Sequence, residues 1–108
     1  MSKDDIYQKE LQKLEKIFET VEKEKKQLVE GLIQDAAFLL AENAVLKESI
    51  SVTGMVRFHP QHPDIQKSTE AGKQYLRNIN SYAVIIKTLN GVLMKAIIED
   101  EDELAEFQ

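Results

Sequence analysis

Cysteine is missing altogether from this 108-residue chain. Its absence excludes a disulfide framework and thiolate metal sites, and it fits a reducing compartment. Long apolar runs are missing too: residues 36–41 and 82–86 are among the longest, far below the roughly 18 needed to span a bilayer. The N-terminal MSKDDIYQKE has no apolar signal core, so a soluble, intracellular protein without a membrane partner is expected. Glycine is sparse and scattered, at Gly31, Gly54, Gly72 and Gly91, which leaves no phosphate-cradling loop. Only two histidines occur, His59 and His62, each followed by proline and so biased toward extended backbone. Two imidazoles with Asp64 as the nearest carboxylate fall short of a zinc ligand set, so no metal is expected. A nucleophile and base arrangement is also absent, and the paired Glu and Asp read as helix-surface groups. The chain is therefore expected to be neither an enzyme nor a cofactor carrier.

What remains is charge and helical pattern. The net charge is −5, but Glu99, Asp100, Glu101, Asp102, Glu103 and Glu106 crowd the last ten residues. Without them, 14 basic residues face the remaining 13 of 19 acidic ones, so the body is close to neutral. The length allows one domain with an adequate core. It divides into a helical body at residues 1–98 and an acidic tail at 99–108. An acidic block at a chain end reads as a flexible, solvated segment. The sharper reading is a docking tail for a basic partner, with charge steering the encounter and Leu104 and Phe107 as apolar anchors.

An all-α fold follows, with long helices in an antiparallel bundle. The first helix is predicted over residues 4–20, capped by Asp4 or Ser2, with Tyr7, Leu11, Leu14, Phe18 and Val21 on one face. The second, over residues 25–51, is on the order of 40 Å long at 1.5 Å per residue. Its main stripe is Leu28, Leu32, Ala36, Leu39, Asn43, Leu46 and Ile50, widened by Val29, Ile33, Ala37, Leu40 and Ala44. No Gly or Pro separates these two segments, so one unbroken helix and a turn within residues 21–26 both fit the pattern. Gly31 predicts a close helix approach that offsets its poor propensity. A buried Asn43 predicts a polar partner that fixes register. Residues 52–57 permit a turn or a short extended pair around Gly54.

A third helix is predicted to start near Pro63, where proline suits the first turn and Asp64 favours the positive dipole end. One stripe runs Ile65, Thr69, Gly72, Leu76, Ile79, Ala83, Ile86, Asn90; a second runs Tyr75, Ile79, Tyr82, Ile86, Leu89, Leu93. Together they form a face wider than one antiparallel neighbour covers, so contacts with other subunits are expected. Leu76, Ile79, Tyr82, Ile86 and Leu89 are the candidate oligomer-interface residues. Lys73, Arg77, Lys87 and Lys95 fall within about 80° of one another at 100° per residue, if the helix continues through Gly91. That stripe suits a phosphate backbone, or else it is the solvated flank of the apolar seam. A left-handed cap at Asn90-Gly91 would end the helix and remove Lys95 from the stripe.

The order of a charged first helix, LVEGLIQDAAFLLAENAVLKESI, the turn TGMVRFHPQHP, and IQKSTEAGKQYLRNINSYAVIIKTLNG resembles the small subunits of phage terminases with a short all-helical body. The likeness covers roughly residues 5–95. Its most specific element is His62-Pro63, followed by a helix carrying Lys67, Glu70, Lys73, Tyr75 and Leu76 and reaching Leu89-Asn90-Gly91. The resemblance implies a non-catalytic DNA-packaging factor in the cytoplasm of an infected bacterial host. Such a subunit forms homo-oligomers, binds double-stranded viral DNA at the packaging start, and recruits or regulates the terminase large subunit. Carried onto this chain, it makes Lys67, Lys73, Arg77 and Lys87 the candidate DNA contacts and the acidic tail the dock for the large subunit. There is no room for a separate helix-turn-helix, so contacts to backbone or DNA shape are expected. The competing reading is a helical protein–protein adaptor or small inhibitor that never touches nucleic acid.

Overall fold

The computed structural model describes residues 1–106. Its elements are α1 (Lys3–Ile17), α2 (Lys23–Thr53), β1 (Val56–Phe58), β2 (Gln66–Ser68) and α3 (Glu70–Glu106). The all-helical bundle expected from periodicity is present, with α2 packed against both α1 and α3. The result is an elongated body of 74 × 28 × 18 Å.

Ser2, not Asp4, caps α1. Its hydroxyl accepts from the Asp5 backbone N–H at 3.1 Å, and the Asp5 carboxylate accepts from the Ser2 N–H at 3.2 Å. This reciprocal box satisfies two donors that helix geometry leaves open. It also holds the Asp5 carboxyl below its ordinary range. Of the two arrangements open for residues 1–53, two separate helices is the one found. The chain turns at residues 18–22, where Phe18 donates to the Leu14 carbonyl and Val21 to the Phe18 carbonyl. Phe18 and Val21 are both buried there. Their burial at the corner supplies what Gly or Pro would otherwise signal.

Because α2 has a neighbour on each side, its apolar residues spread around much of its circumference. Val29, Ile33, Ala36, Ala37 and Ala41 are all buried. Val29, Ile33 and Ala36 join Leu14 of α1, Phe18 and Val21 of the turn, and Leu89 and Ala96 of α3, so that one core runs through the three helices. Leu28, the first residue of the expected main stripe, is exposed instead. Asn43 is buried as expected, but its Oδ1 has no hydrogen-bond partner among the described residues, so the expected register-fixing pair is absent among them. Gly31 also departs from expectation: nothing lies within 4 Å of where its Cβ would be, so no helix approaches closely there.

The largest correction concerns the start of α3. The chain does not enter a helix at Pro63; residues 59–65 form the loop of an antiparallel hairpin that pairs Val56 with Ser68, Arg57 with Lys67 and Phe58 with Gln66. His59 explains the loop. Its Nδ1 accepts from the backbone N–H groups of Gln61 at 3.1 Å and His62 at 3.2 Å, and its own N–H donates to the Ile65 carbonyl at 3.0 Å. The second His-Pro pair is thus committed to a turn. Thr69 starts α3 instead: its hydroxyl accepts from the Gly72 N–H at 3.0 Å and donates to the Gly54 carbonyl at 2.9 Å. Gly54 ends α2 with a φ of 76°, a left-handed value suited to glycine.

Beyond that junction α3 continues unbroken through Asn90-Gly91, and Gly54 alone among the described residues has positive φ. The acid-rich segment starts no new element, since α3 runs on to Glu106, with Lys25 of α2 paired to Glu99. That pairing holds the Glu99 carboxyl below its ordinary range and the Lys25 ammonium above its own. α3 is also long and apolar enough by length and composition to cross a bilayer, with a mean hydropathy of 1.4 over an 18-residue window. Counting uninterrupted runs missed this, because isolated polar residues break the runs without much lowering the average.

Two glycine substitutions test this packing in opposite directions. A Cβ at Gly72 would lie 2.9 Å from the Met55 carbonyl oxygen, so Gly72→Ala is expected to destabilise by about 1–3 kcal/mol. Gly31→Ala is expected to stabilise by about 1 kcal/mol, because only helix propensity changes. Denaturant unfolding midpoints of the two variants check both signs.

Candidate nucleic-acid and subunit interface

The third helix carries two apolar faces, and α1 and α2 cover one of them. The covered face includes Tyr82, Ile85, Ile86, Leu89, Val92, Leu93 and Ala96, which is mainly the second of the two expected stripes. Leu76, Ile79, Ala83, Met94 and Ile97 lie on the flank beside it, about 80–140° from Leu89 at 100° per residue, and all are exposed. The five candidate interface residues therefore divide. Leu76 is 52% and Ile79 38% exposed, whereas Leu89 is only 3% exposed and belongs to the protomer's own core. Tyr82 and Ile86 are half-buried against that same core. The split follows from helix geometry: a stripe facing α2 cannot also face a second copy. On α2, Phe38 and Val45 are further exposed apolar side chains.

Tyr82 sits where α1 reaches α3. Glu10 is buried and pairs with Lys13 at 2.7 Å, which pushes the Lys13 ammonium above its ordinary range. Burial pushes the Tyr82 phenol up, and the Glu10 charge adds to the effect.

The basic residues sit along one edge of the uncovered apolar stripe. Arg77, Lys87 and Lys95 are exposed, and Lys95 stays on the stripe because the helix does not stop at Gly91. Lys73 is half-buried and points toward Glu70, 3.5 Å away. Lys67 is not on the helix at all: it lies in β2, directly across from Arg57. The structure thus groups Lys73, Arg77 and Lys87 on one helix and places Lys67 with Arg57 at the hairpin. Arg57 is a basic partner that sequence reasoning missed, because only strand register brings it beside Lys67.

At the far end of α3, Leu104 is exposed among the acidic side chains. Its expected companion anchor, Phe107, lies outside the described residues. His59 and His62 stack at 5.1 Å between ring centroids, tilted by 44°. With His59 Nδ1 occupied by backbone donors, the pair is a loop feature, and no cluster of three or more metal-ligating side chains occurs among the described residues. Comparison with family models, with curated proteins and with solved structures finds no match.

The two faces of α3 give contrasting expectations. Leu89→Asp would place an unpaired charge in the protomer core and is expected to cost several kcal/mol, leaving the chain largely unfolded by circular dichroism. Leu76→Asp or Ile79→Asp should keep the helical spectrum but abolish any rise of melting temperature with protein concentration, the signature of assembly-linked stability. A wild-type melting temperature independent of concentration would count against a subunit contact on that face.

Proposed function

We propose that the chain is a non-catalytic DNA-packaging subunit of the terminase small-subunit type. In this reading it assembles with copies of itself, contacts double-stranded viral DNA at the packaging start, and hands it to a large ATPase and nuclease subunit in the infected cell. The observation that carries the reading is the layout of α3. An uncovered apolar stripe through Leu76, Ile79, Ala83, Met94 and Ile97 runs beside a basic stripe of Lys73, Arg77, Lys87 and Lys95. Copies joined along the first stripe would repeat the second at regular intervals. Repetition multiplies a modest charge per protomer into a field that attracts a polyanion.

Lipid is a poorer cover for this face than protein. Asn90 sits within it and Lys87 at its edge, and a lysine at the bilayer centre costs about 2.5–3.5 kcal/mol. The exposed acidic end of α3, with Leu104, is the proposed dock for the large subunit. A helical adaptor that binds only protein is the second reading, favoured by the near-neutral charge of the body.

Salt separates the two. Counterion release makes duplex affinity fall steeply with ionic strength, with a slope of about −0.9 per phosphate contact, whereas an apolar protein interface responds weakly. Wild-type chain is expected to retain labelled duplex at about 50 mM salt. The triple variant Lys73→Gln, Arg77→Gln, Lys87→Gln should lower the slope by roughly 2–3. Failure of the wild-type chain to bind duplex at that low salt would leave the adaptor reading standing.

A further inference from the structure

The hairpin sets two like charges face to face. Arg57 and Lys67 are direct cross-strand partners, so their side chains leave the same face of the ribbon. Like charges in that relation destabilise the pairing, and a two-stranded ribbon has little stability of its own to spare. Neither cation is relieved by the chain, since the ion pairs among the described residues involve other groups. Glu70, the nearest acid at this end of α3, is turned toward Lys73.

Both cations line a cleft of about 310 Å³, closed by Ser49 and Thr53 of α2 on one side and Glu70 and Ala71 of α3 on the other. Thr69, rooted to Gly54 and Gly72, holds the hairpin base against the start of α3 and so fixes the wall of the cleft. We propose that this cleft is a phosphate-binding site in which Arg57 and Lys67 grip one oxyanion between them. An arginine can present two parallel N–H donors to phosphate oxygens while a lysine contributes a point charge. An anion between the two turns their repulsion into shared attraction, which accounts for two unpaired cations facing each other in a cleft. The natural source is a backbone phosphodiester of duplex DNA, and that source rests on the function proposed above. A free phosphate has the same chemistry.

The test follows backbone amide shifts in the isotopically labelled full chain during titration with a short DNA duplex and, separately, with inorganic phosphate. Shifts of Arg57, Lys67 and Ser68 on adding duplex support the site with DNA as its source. The double variant Arg57→Gln, Lys67→Gln should then abolish them and lower the salt slope by about 2, equivalent to about a tenfold smaller loss of affinity between roughly 50 and 200 mM salt. Shifts with inorganic phosphate but not with duplex support the site while removing the packaging function. Duplex binding that leaves the hairpin amides and the double variant's slope unchanged overturns the site while sparing that function. No hairpin response to either probe in the wild type also overturns it, whatever the stability of the double variant.

Discussion

One helix has more apolar surface than the described residues cover, and the rest of the architecture is arranged around that constraint. The core side of α3, from Tyr82 through Leu89 to Ala96, is met by α2, with α1 reaching it near Tyr82. The neighbouring side, from Leu76 to Ile97, stays exposed, although Ile97 also lines a small pocket with the turn between α1 and α2. Among the described residues there are three helices, and α1 and α2 lie on the core side of α3. The uncovered face is therefore the feature on which any account of function must rest, and the basic edge beside it gives that face a direction.

The junction between α2 and α3 shows how few residues set the geometry. Gly54 lets the chain leave α2 in a left-handed conformation, His59 closes the loop through two backbone bonds, and Thr69 joins the hairpin base to the first turn of α3. Gly72 then lets Met55 pass within a distance that no Cβ would tolerate. Together these contacts determine the register of α3 against α2, and with it which stripe is buried. A shift of one residue would rotate α3 by about 100° and exchange buried for exposed positions.

Periodicity revealed the helices, the capping serine among its alternatives and both stripes of α3, because burial on one side of a helix leaves a three-and-four spacing that survives in the sequence. It could not say which stripe faces inward, since Ile79 and Ile86 belong to both and each pattern is equally regular. The start of α3 went to Pro63-Asp64 because both residues suit a first helical turn, while the equally good cap at Thr69 ahead of Glu70 was absorbed into an apolar stripe. Local signals of similar strength compete there, and strand pairing of residues 56–58 with 66–68, a non-local contact, decides between them. The same pairing hid the approach of Arg57 to Lys67. Gly31 misled for a related reason: a glycine in an apolar helix suggests a close neighbour, but here it faces open space.

Sedimentation equilibrium of the wild-type chain, over a range of concentrations in moderate salt, tests the central claim most directly. If a second copy covers the Leu76 to Ile97 face, the fitted mass should be a defined multiple of the 12.4 kDa protomer. A single species of 12.4 kDa across the whole range would contradict it.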